Sequence, residues 1–158
     1  MVHEEGKPSV IVMNKWDLVE KDTHTIETFE AKLKEDLKFM DYFKSVYISA
    51  KTGQRAEKVL KLAREAYDHA HFRIPTGALN DLLMDAMRIS EPPSYQGRRL
   101  KLYYASEVSV APPLFVLMVN DETLLHFSYA RYLENVIRQA YDFSGTPIRI
   151  QVRNKKDD

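Results

Sequence analysis

The chain has 158 residues, of which 44% are apolar, and its 23 basic residues balance its 23 acidic ones. This composition supports a packed core, in one ordinary domain or two small ones, and excludes a disordered tail. The chain contains no cysteine, which excludes disulfides, thiolate metal sites and a cysteine nucleophile. No apolar run approaches the ~20 residues that span a bilayer, so we expect a cytoplasmic protein with no membrane partner.

The first seventy residues predict two strands that alternate with two helices. Runs at 9–13 and 45–49 are rich in β-branched residues and are typical of buried parallel strands. Apolar residues at helical spacing predict helices over about 25–40 and 55–70. Two strands cannot bury both faces of a parallel sheet, so this part is predicted to be a partial α/β sheet. We expect its unpaired edges to allow self-association.

Segment 71–75 is predicted to be a linker, because Pro75 prevents the preceding helix from continuing. The remaining residues, 76–158, predict a second domain of the α+β class. Its element order is α-β-β-α-α-β, and its three-stranded sheet is backed by helices. We expect Thr76 to cap its first helix and Ser128 to cap its last helix.

The strands of this second domain alternate apolar and polar residues. In the first of them, Leu100, Leu102 and Tyr104 are predicted to share one face. The adjacent residues Tyr103 and Tyr104 would then lie on opposite faces, and one of them would be in the core. In the last strand, the outward-facing residues are predicted to be Arg149, Gln151 and Arg153, and the inward-facing ones Ile148, Ile150 and Val152.

Three strongly polar residues follow the first predicted strand, at the end of a strand where α/β proteins place ligands. They are Asn14, Lys15 and Asp17. An ionised Asp17 only accepts hydrogen bonds, so its natural complement presents two adjacent donors. The N1–H and the exocyclic amine of guanine are such a pair. The long aliphatic stem of Lys15 can lie along a flat ring.

The sequence "NKWD", which contains these residues, resembles the Asn-Lys-x-Asp guanine-specificity motif of P-loop GTPases. The sequence "SAK", Ser49 to Lys51, ends the next predicted strand and resembles their second guanine-contacting motif. One such match alone is weak, whereas two in the right order, each at a strand end, are strong. The alternative is that Asn14 and Asp17 cap a loop while Ser49 and Lys51 face solvent.

Longer stretches narrow the resemblance. The sequences "GKPSVIVMNKWDLV", "SAKTGQ", "RLKLYYASEVSVAPPLFVLMVND" and "LLHFSYARYLENVIRQAYDFSGTPIRIQVRNK" together resemble the end of the bacterial double-Era-like GTPases, the Der or EngA family. The resemblance covers nearly the whole chain. It implies that residues 1–70 are the end of a second GTPase domain and that residues 76–158 are a KH-like domain. It also implies a role in assembly of the large ribosomal subunit, with rRNA or ribosomal proteins as partners.

The same resemblance implies a role for each motif residue. Asp17 would accept two hydrogen bonds from guanine, Asn14 would contact the base and the loop backbone, and Lys15 would stack on the ring. Ala50 would donate its backbone N–H to the guanine oxygen. The loop around it would be shaped by Ser49 and Lys51.

The phosphate-binding half of a GTPase site is missing from these 158 residues. It requires Gly-x-x-x-x-Gly-Lys-Ser/Thr and a Mg²⁺ ligand, and none of the five glycines stands in that arrangement. The "DFSG" match to Asp-x-x-Gly is interpreted as a helix end, with Gly145 as the stop. His69 and His71 have no third metal ligand at a suitable spacing in the sequence, so no metal site is predicted.

We therefore expect GTP or GDP and Mg²⁺ to be ligands of a longer parent GTPase, inside which Met1 marks an expression start. None of them is expected to be bound to this chain. We assign no catalytic residue, and we expect this chain alone neither to hydrolyse GTP nor to bind it tightly.

A typical KH domain clamps nucleic-acid backbone with a Gly-x-x-Gly loop, whereas the equivalent turn here is "HFSY" at 126–129. Basic residues would still be able to neutralise RNA phosphates. The candidate RNA contacts are Arg98, Arg99, Lys101, Arg149, Arg153, Lys155 and Lys156. The alternative is that these cations are ordinary solvated residues that protect strand edges from aggregation.

Two functions remain open from the sequence. The first is the guanine-recognition part of a ribosome-assembly GTPase, joined to a KH-like domain that contacts RNA or protein. The second is a non-enzymatic interaction module that keeps a GTPase-like remnant as a scaffold.

Overall fold

Strands and helices alternate in the first part of the chain and are followed by a strand hairpin in the second part, which confirms the predicted fold class. The computed structural model describes residues 1–155. The helices and strands are β1 (Val10–Met13), α1 (Thr25–Asp36), β2 (Lys44–Tyr47), α2 (Ala56–His71), α3 (Thr76–Ile89), β3 (Leu102–Ser109), β4 (Leu114–Val119), α4 (Phe127–Ala140) and β5 (Arg149–Asn154). Short 3₁₀ helices lie at Trp16–Leu18, Lys38–Met40 and Glu122–Leu124.

These elements divide into two compact units. The first unit contains Met1–Ala70 together with Phe143–Pro147, a segment from much later in the chain. The second unit contains His71–Asp142 and the chain from Ile148 onward. In the part of the chain that the structure describes, no helix is long and apolar enough to cross a membrane.

The sheet of the first unit consists of β1 and β2, which pair in parallel with Val10 opposite Lys44. Its apolar residues are only partly covered, since Val12 is 39% exposed and α1 buries none of its side chains fully. α1 ends at Asp36, earlier than predicted, because Leu37 leaves the helical conformation with φ −114° and ψ 38°. The sheet is therefore partial, as the two-strand pattern predicts.

An aromatic cluster forms the core beneath the loop that follows β1. Trp16 is 2% exposed, and its ring centroid lies 4.6 Å from that of Tyr47 and 5.4 Å from that of Phe29. The Tyr47 hydroxyl donates to Glu30 Oε1 at 3.1 Å. Burial, together with the Glu30 carboxylate, raises the pKa of Tyr47 to about 12. The cluster anchors the "NKWD" loop through Trp16, which is the one apolar residue of that sequence.

Gly145 closes the first unit and is not the stop of a helix, so that prediction is wrong. α4 ends at Ala140, whereas Gly145 has φ +81° and donates its N–H to the Tyr42 carbonyl at 2.7 Å. Its carbonyl accepts from the Ser9 N–H at 2.7 Å. A Cβ atom at this position would lie 2.6 Å from Cβ of Ala66. Glycine is required here both by the backbone conformation and by the approach of α2.

The sheet of the second unit has the order β3-β4-β5, with β3 antiparallel and β5 parallel to the central β4. α3 packs on β3 and on α4. The side chains that are almost fully buried in this core are Leu79, Leu83, Phe115, Leu117, Leu133 and Ile137. The predicted alternation of β5 is confirmed, because Arg149, Gln151 and Arg153 are exposed while Ile150 and Val152 are partly buried.

Neither predicted helix cap forms in the second unit. α3 begins at Thr76 itself, directly after Pro75, and has no side-chain cap. α4 begins at Phe127, one residue before Ser128, so that Ser128 lies inside the first turn. Pro75 and His126 occupy the N-cap positions, and their carbonyls accept the first backbone hydrogen bonds of the two helices.

The prediction that either Tyr103 or Tyr104 lies in the core is wrong, because the two side chains are 46% and 48% exposed. A shift in register between Leu102 and Tyr104 places an extra residue of β3 against β4. Such a bulge breaks the alternation of faces along a strand. The buried residues of β3 are Ala105 and Glu107 instead.

The outer edge of β3 is covered by residues 73–80. The Asn80 side chain donates to the Ala105 carbonyl and accepts from the Ala105 N–H, both at 2.8 Å, as a neighbouring strand would. The Ile74 N–H donates to Glu107 Oε2 at 2.7 Å, and Arg73 donates to the Glu107 carbonyl at 2.7 Å. Burial raises the pKa of Glu107, against the smaller opposing effects of the Ile74 N–H and the Arg73 guanidinium.

Candidate functional site

Two loops of the first unit lie side by side because β1 and β2 are parallel neighbours. Beyond the paired strands, the Ile48 N–H donates to the Met13 carbonyl at 2.8 Å, and the Trp16 N–H donates to the Ile48 carbonyl at 2.9 Å. The parallel pairing thus continues into the loops. It brings Asn14 and Asp17, which follow β1, next to Ser49, which follows β2.

The loop after β1 turns sharply at Lys15, which has φ 63° and ψ 31°. Left-handed backbone is uncommon for a residue with a side chain, and it often marks a functional turn. Trp16 then points into the core, whereas Asp17 is exposed and Leu18 is 75% exposed. The loop is therefore anchored by its apolar residue and presents its polar residues to solvent.

The loop after β2 is held by its own hydrogen bonds. Ser49 is fully buried, its N–H donates to the Gln54 carbonyl at 3.2 Å, and its Oγ accepts from the Thr52 N–H at 3.3 Å. Gly53 has φ +77° at the turn between them. Because the N–H and the Oγ of Ser49 are both hydrogen-bonded within the loop, the residues of this motif that face solvent are Ala50 and Lys51.

Asn14 joins the two loops. Its side-chain Oδ1 accepts from the Lys15 N–H at 2.7 Å and from the Ala50 N–H at 3.0 Å. The Ala50 N–H is the group that the resemblance assigns to the guanine oxygen, and in this structure it donates to Asn14. A carbonyl of a bound base would therefore have to share or replace that acceptor.

A pocket of about 250 Å³ opens where the two loops meet. It is lined by Asn14, Lys15, Asp17, Leu18 and Lys51. Four of these are predicted motif residues, while the two others from that prediction, Ser49 and Ala50, shape the loop and do not line the pocket. Leu18 was missed because an exposed leucine carries no chemical signal in a sequence. The pocket combines one carboxylate with two long aliphatic stems that end in cations, which suits a flat ring with adjacent donors.

The predicted RNA-contacting residues lie on the second unit. Arg98 donates to Asp121 at 2.9 Å, and Arg99 donates to Glu91. The Lys101 ammonium makes no ion pair or hydrogen bond with the described residues. Arg149 and Arg153 are exposed on β5, and Lys155 Nζ lies 5.1 Å from the ring centroid of Tyr103. Lys156 lies outside the described residues.

The C-terminal half of the chain matches a known family. Residues 73–153, about half of the chain, match the family described as KH-domain-like of EngA bacterial GTPase enzymes, C-terminal. The chain belongs to the EngA family of bacterial GTPases. The resemblance that the sequence predicts is thereby confirmed.

Curated relatives of this EngA-family chain carry the name GTPase Der. The proteins of Limosilactobacillus fermentum, Clostridium novyi and Leuconostoc citreum are 50%, 49% and 47% identical to it, each over 98% of this chain. The matched part makes up 36%, 35% and 35% of those proteins. The chain thus spans about a third of the length of the curated relatives it matches.

The structure also places the two histidines and the KH-equivalent segment that the sequence singles out. The described residues contain no group of three or more His, Cys, Asp or Glu that could hold a metal ion. His69 donates from Nδ1 to the Ser144 carbonyl at 2.8 Å, which gives this histidine a structural role. The segment 126–129, predicted to be a turn, instead forms the start of α4, and Phe127 is 82% exposed where a typical KH domain has its Gly-x-x-Gly loop.

Proposed function

We propose that the pocket of the first unit recognises the guanine base of GTP or GDP. The observation that supports this most is the convergence of Asn14, Lys15, Asp17 and Lys51, from two separate loops, on one pocket of about 250 Å³. Asp17 accepts from the N1–H and the exocyclic amine of guanine, and the lysine stems lie along the ring. Adenine offers no such adjacent pair of donors to a carboxylate.

In this proposal the chain supplies base recognition but not phosphate chemistry. The phosphates and Mg²⁺ of a GTPase are held by Gly-x-x-x-x-Gly-Lys-Ser/Thr, which does not occur in the 158 residues. Relatives about three times longer are named GTPases. The chain by itself binds GTP weakly and does not hydrolyse it, whereas hydrolysis belongs to the longer protein.

The test is a change of base preference in the full-length protein. Asp17→Asn replaces an acceptor by an amide that donates to the 2-oxo group of xanthine. We expect GTP affinity to fall at least tenfold, since the hydrogen bond from the exocyclic amine is lost and the one from N1–H no longer goes to a charged group, and we expect xanthosine triphosphate to become the better ligand. Fluorescence titration with both nucleotides measures this.

The matched control for that test is Glu20→Gln. Glu20 is an exposed carboxylate on the same stretch of chain, and it does not line the pocket. The control should keep the wild-type preference for GTP. An Asp17→Asn protein that also keeps that preference would remove Asp17 from base recognition.

We propose further that the KH-like unit contacts the large ribosomal subunit, through rRNA or ribosomal proteins, in a GTPase of the cytoplasm. The exposed cations Arg149 and Arg153 on β5 support a contact with phosphates. Co-sedimentation of the full-length protein with large-subunit particles should decrease when both are changed to Glu, and it should fall steeply with added salt. Unchanged co-sedimentation would exclude β5 from the contact.

A further inference from the structure

A groove on the second unit runs along the C-terminal half of α3 and the start of β3. Two cavities, of about 360 and 270 Å³, share Met87, Arg88 and Lys101 as lining residues. The larger cavity is also lined by Met84 and Tyr103. The groove therefore has an apolar floor of methionines, with cations and one aromatic ring along its sides.

The charge of the groove favours an anionic occupant. Arg88 is paired with Asp85 at 3.1 Å and Arg99 is paired with Glu91, so these two guanidiniums are already neutralised in part. Lys101 has no charged partner within the described residues, and its ammonium is exposed. Lys155 adds a further cation above the Tyr103 ring. The surplus charge along the groove is positive, which is complementary to a phosphate backbone.

The aromatic ring favours an occupant with flat bases. The β3 bulge places Tyr103 on the surface, where it is 46% exposed and borders the larger cavity. The Lys155 ammonium, 5.1 Å from the ring centroid, makes a cation–π contact with it. An exposed aromatic ring beside a positively charged groove is the arrangement that binds single-stranded nucleic acid by stacking.

We propose that this groove binds a short single-stranded RNA segment, with one base stacked on Tyr103 and a phosphate held by Lys101. The inference rests on the proposed ribosomal role and names the part of the KH-like unit that reaches RNA. The groove lies on α3 and β3, and none of its lining residues belongs to the segment 126–129, where a typical KH domain carries its Gly-x-x-Gly clamp. It offers a route to RNA for a KH-like unit that lacks the clamp.

The proposal is tested by fluorescence anisotropy with the 158-residue chain and a labelled single-stranded RNA of about ten nucleotides. Tyr103→Ala should weaken binding by at least fivefold, in line with the loss of one stacked base, and Tyr103→Phe should restore it. Lys101→Ala should lower the slope of log affinity against log salt by about 0.7, the value for one phosphate of a single strand. The matched control is Tyr104→Ala, because Tyr104 is equally exposed and does not line the groove.

The outcomes separate this site from the broader proposal. RNA binding that is the same for the wild type, Tyr103→Ala and Tyr104→Ala would overturn the groove while leaving RNA contact by the KH-like unit intact. Absence of RNA binding by the wild-type chain at low salt would overturn the groove and RNA contact by the KH-like unit together, whereas contact through ribosomal proteins is tested separately by the co-sedimentation of the full-length protein. Preferential binding of a labelled oligo-glutamate peptide would show that the groove serves an acidic protein segment instead.

Discussion

Asn14 shows how one side chain organises the candidate nucleotide pocket. Its Oδ1 holds the Lys15 and Ala50 amides of two different loops, while Trp16 anchors the first loop in the aromatic core. Asp17 itself makes no hydrogen bond or ion pair with the other described residues. This arrangement supports the proposal that Asp17 is pre-organised for a ligand in a pocket that the fold holds in shape.

A second residue-scale feature is Gly145, and Gly145→Ala should destabilise the first unit. The added Cβ would lie 2.6 Å from Cβ of Ala66, an overpacking that costs about 1–3 kcal/mol, and left-handed backbone costs about 1 kcal/mol more. Trp16 is the sole tryptophan of the chain and lies in this unit, so urea unfolding followed by its fluorescence reports the loss.

Gly53→Ala is the matched control for that prediction. Gly53 belongs to the same unit and has a similar φ of +77°, but nothing lies within 4 Å of a Cβ atom there. It should lose only about 1 kcal/mol, the cost of the backbone conformation. Equal losses for the two variants would mean that the contact with Ala66 relaxes at no cost.

At the scale of the elements, the sequence predicts what depends on local periodicity and misses what depends on neighbours. The strands, the order of helices and the outward face of β5 follow from alternation and spacing along the chain. The bulge that exposes both Tyr103 and Tyr104 depends on how β3 meets β4, and neither strand shows it alone. The role of Gly145 likewise depends on α2, which is far away in the sequence.

The candidate site likewise contains residues that the sequence predicts and a residue that only the folded structure reveals. The two motifs predict Asn14, Lys15, Asp17 and Lys51: the first three are each assigned a contact with the base, and Lys51 is assigned a part in shaping the loop. Leu18 lines the pocket through the shape of the loop, which no motif encodes.

The edge of β3 makes stability depend on pH through Glu107. This side chain is 6% exposed, and burial raises its pKa, so the folded state holds a proton that the unfolded state releases. Its contribution to stability is fully present below the usual glutamate pKa of about 4.5 and is lost as pH rises through the higher folded value. Glu107→Gln cannot titrate and should lack this loss.

Urea unfolding followed by circular dichroism, from about pH 4 to pH 8, compares the two proteins. The wild type should lose stability relative to Glu107→Gln as pH rises, so the difference in free energy of unfolding between the two proteins should change with pH. Glu122→Gln, which changes an exposed carboxylate of the same unit, should run parallel to the wild type. Parallel curves for Glu107→Gln as well would show that folding does not raise the pKa of Glu107.

At the scale of the whole molecule, the chain contains the residues proposed for base recognition and lacks the phosphate-binding motif of a GTPase. The first unit holds residues suited to reading a base, and nothing in the 158 residues matches the loop that cradles phosphates. Its apolar surface is only partly covered, with Val12 and Ile26 39% and 44% exposed. The second unit has the KH-like fold of the EngA family, with its own basic groove.

The most direct test of guanine recognition is an NMR titration of the 158-residue chain, with amide resonances followed as GDP, ADP or xanthosine diphosphate is added. GDP should shift the amides of residues 14–18 and 50–51 with a Kd well above ~1 µM, the affinity that corresponds to about −8 kcal/mol. ADP should leave these amides unchanged, and the Asp17→Asn chain should respond to xanthosine diphosphate instead. Equal shifts with GDP and ADP, or shifts confined to other residues, would contradict guanine recognition by this pocket.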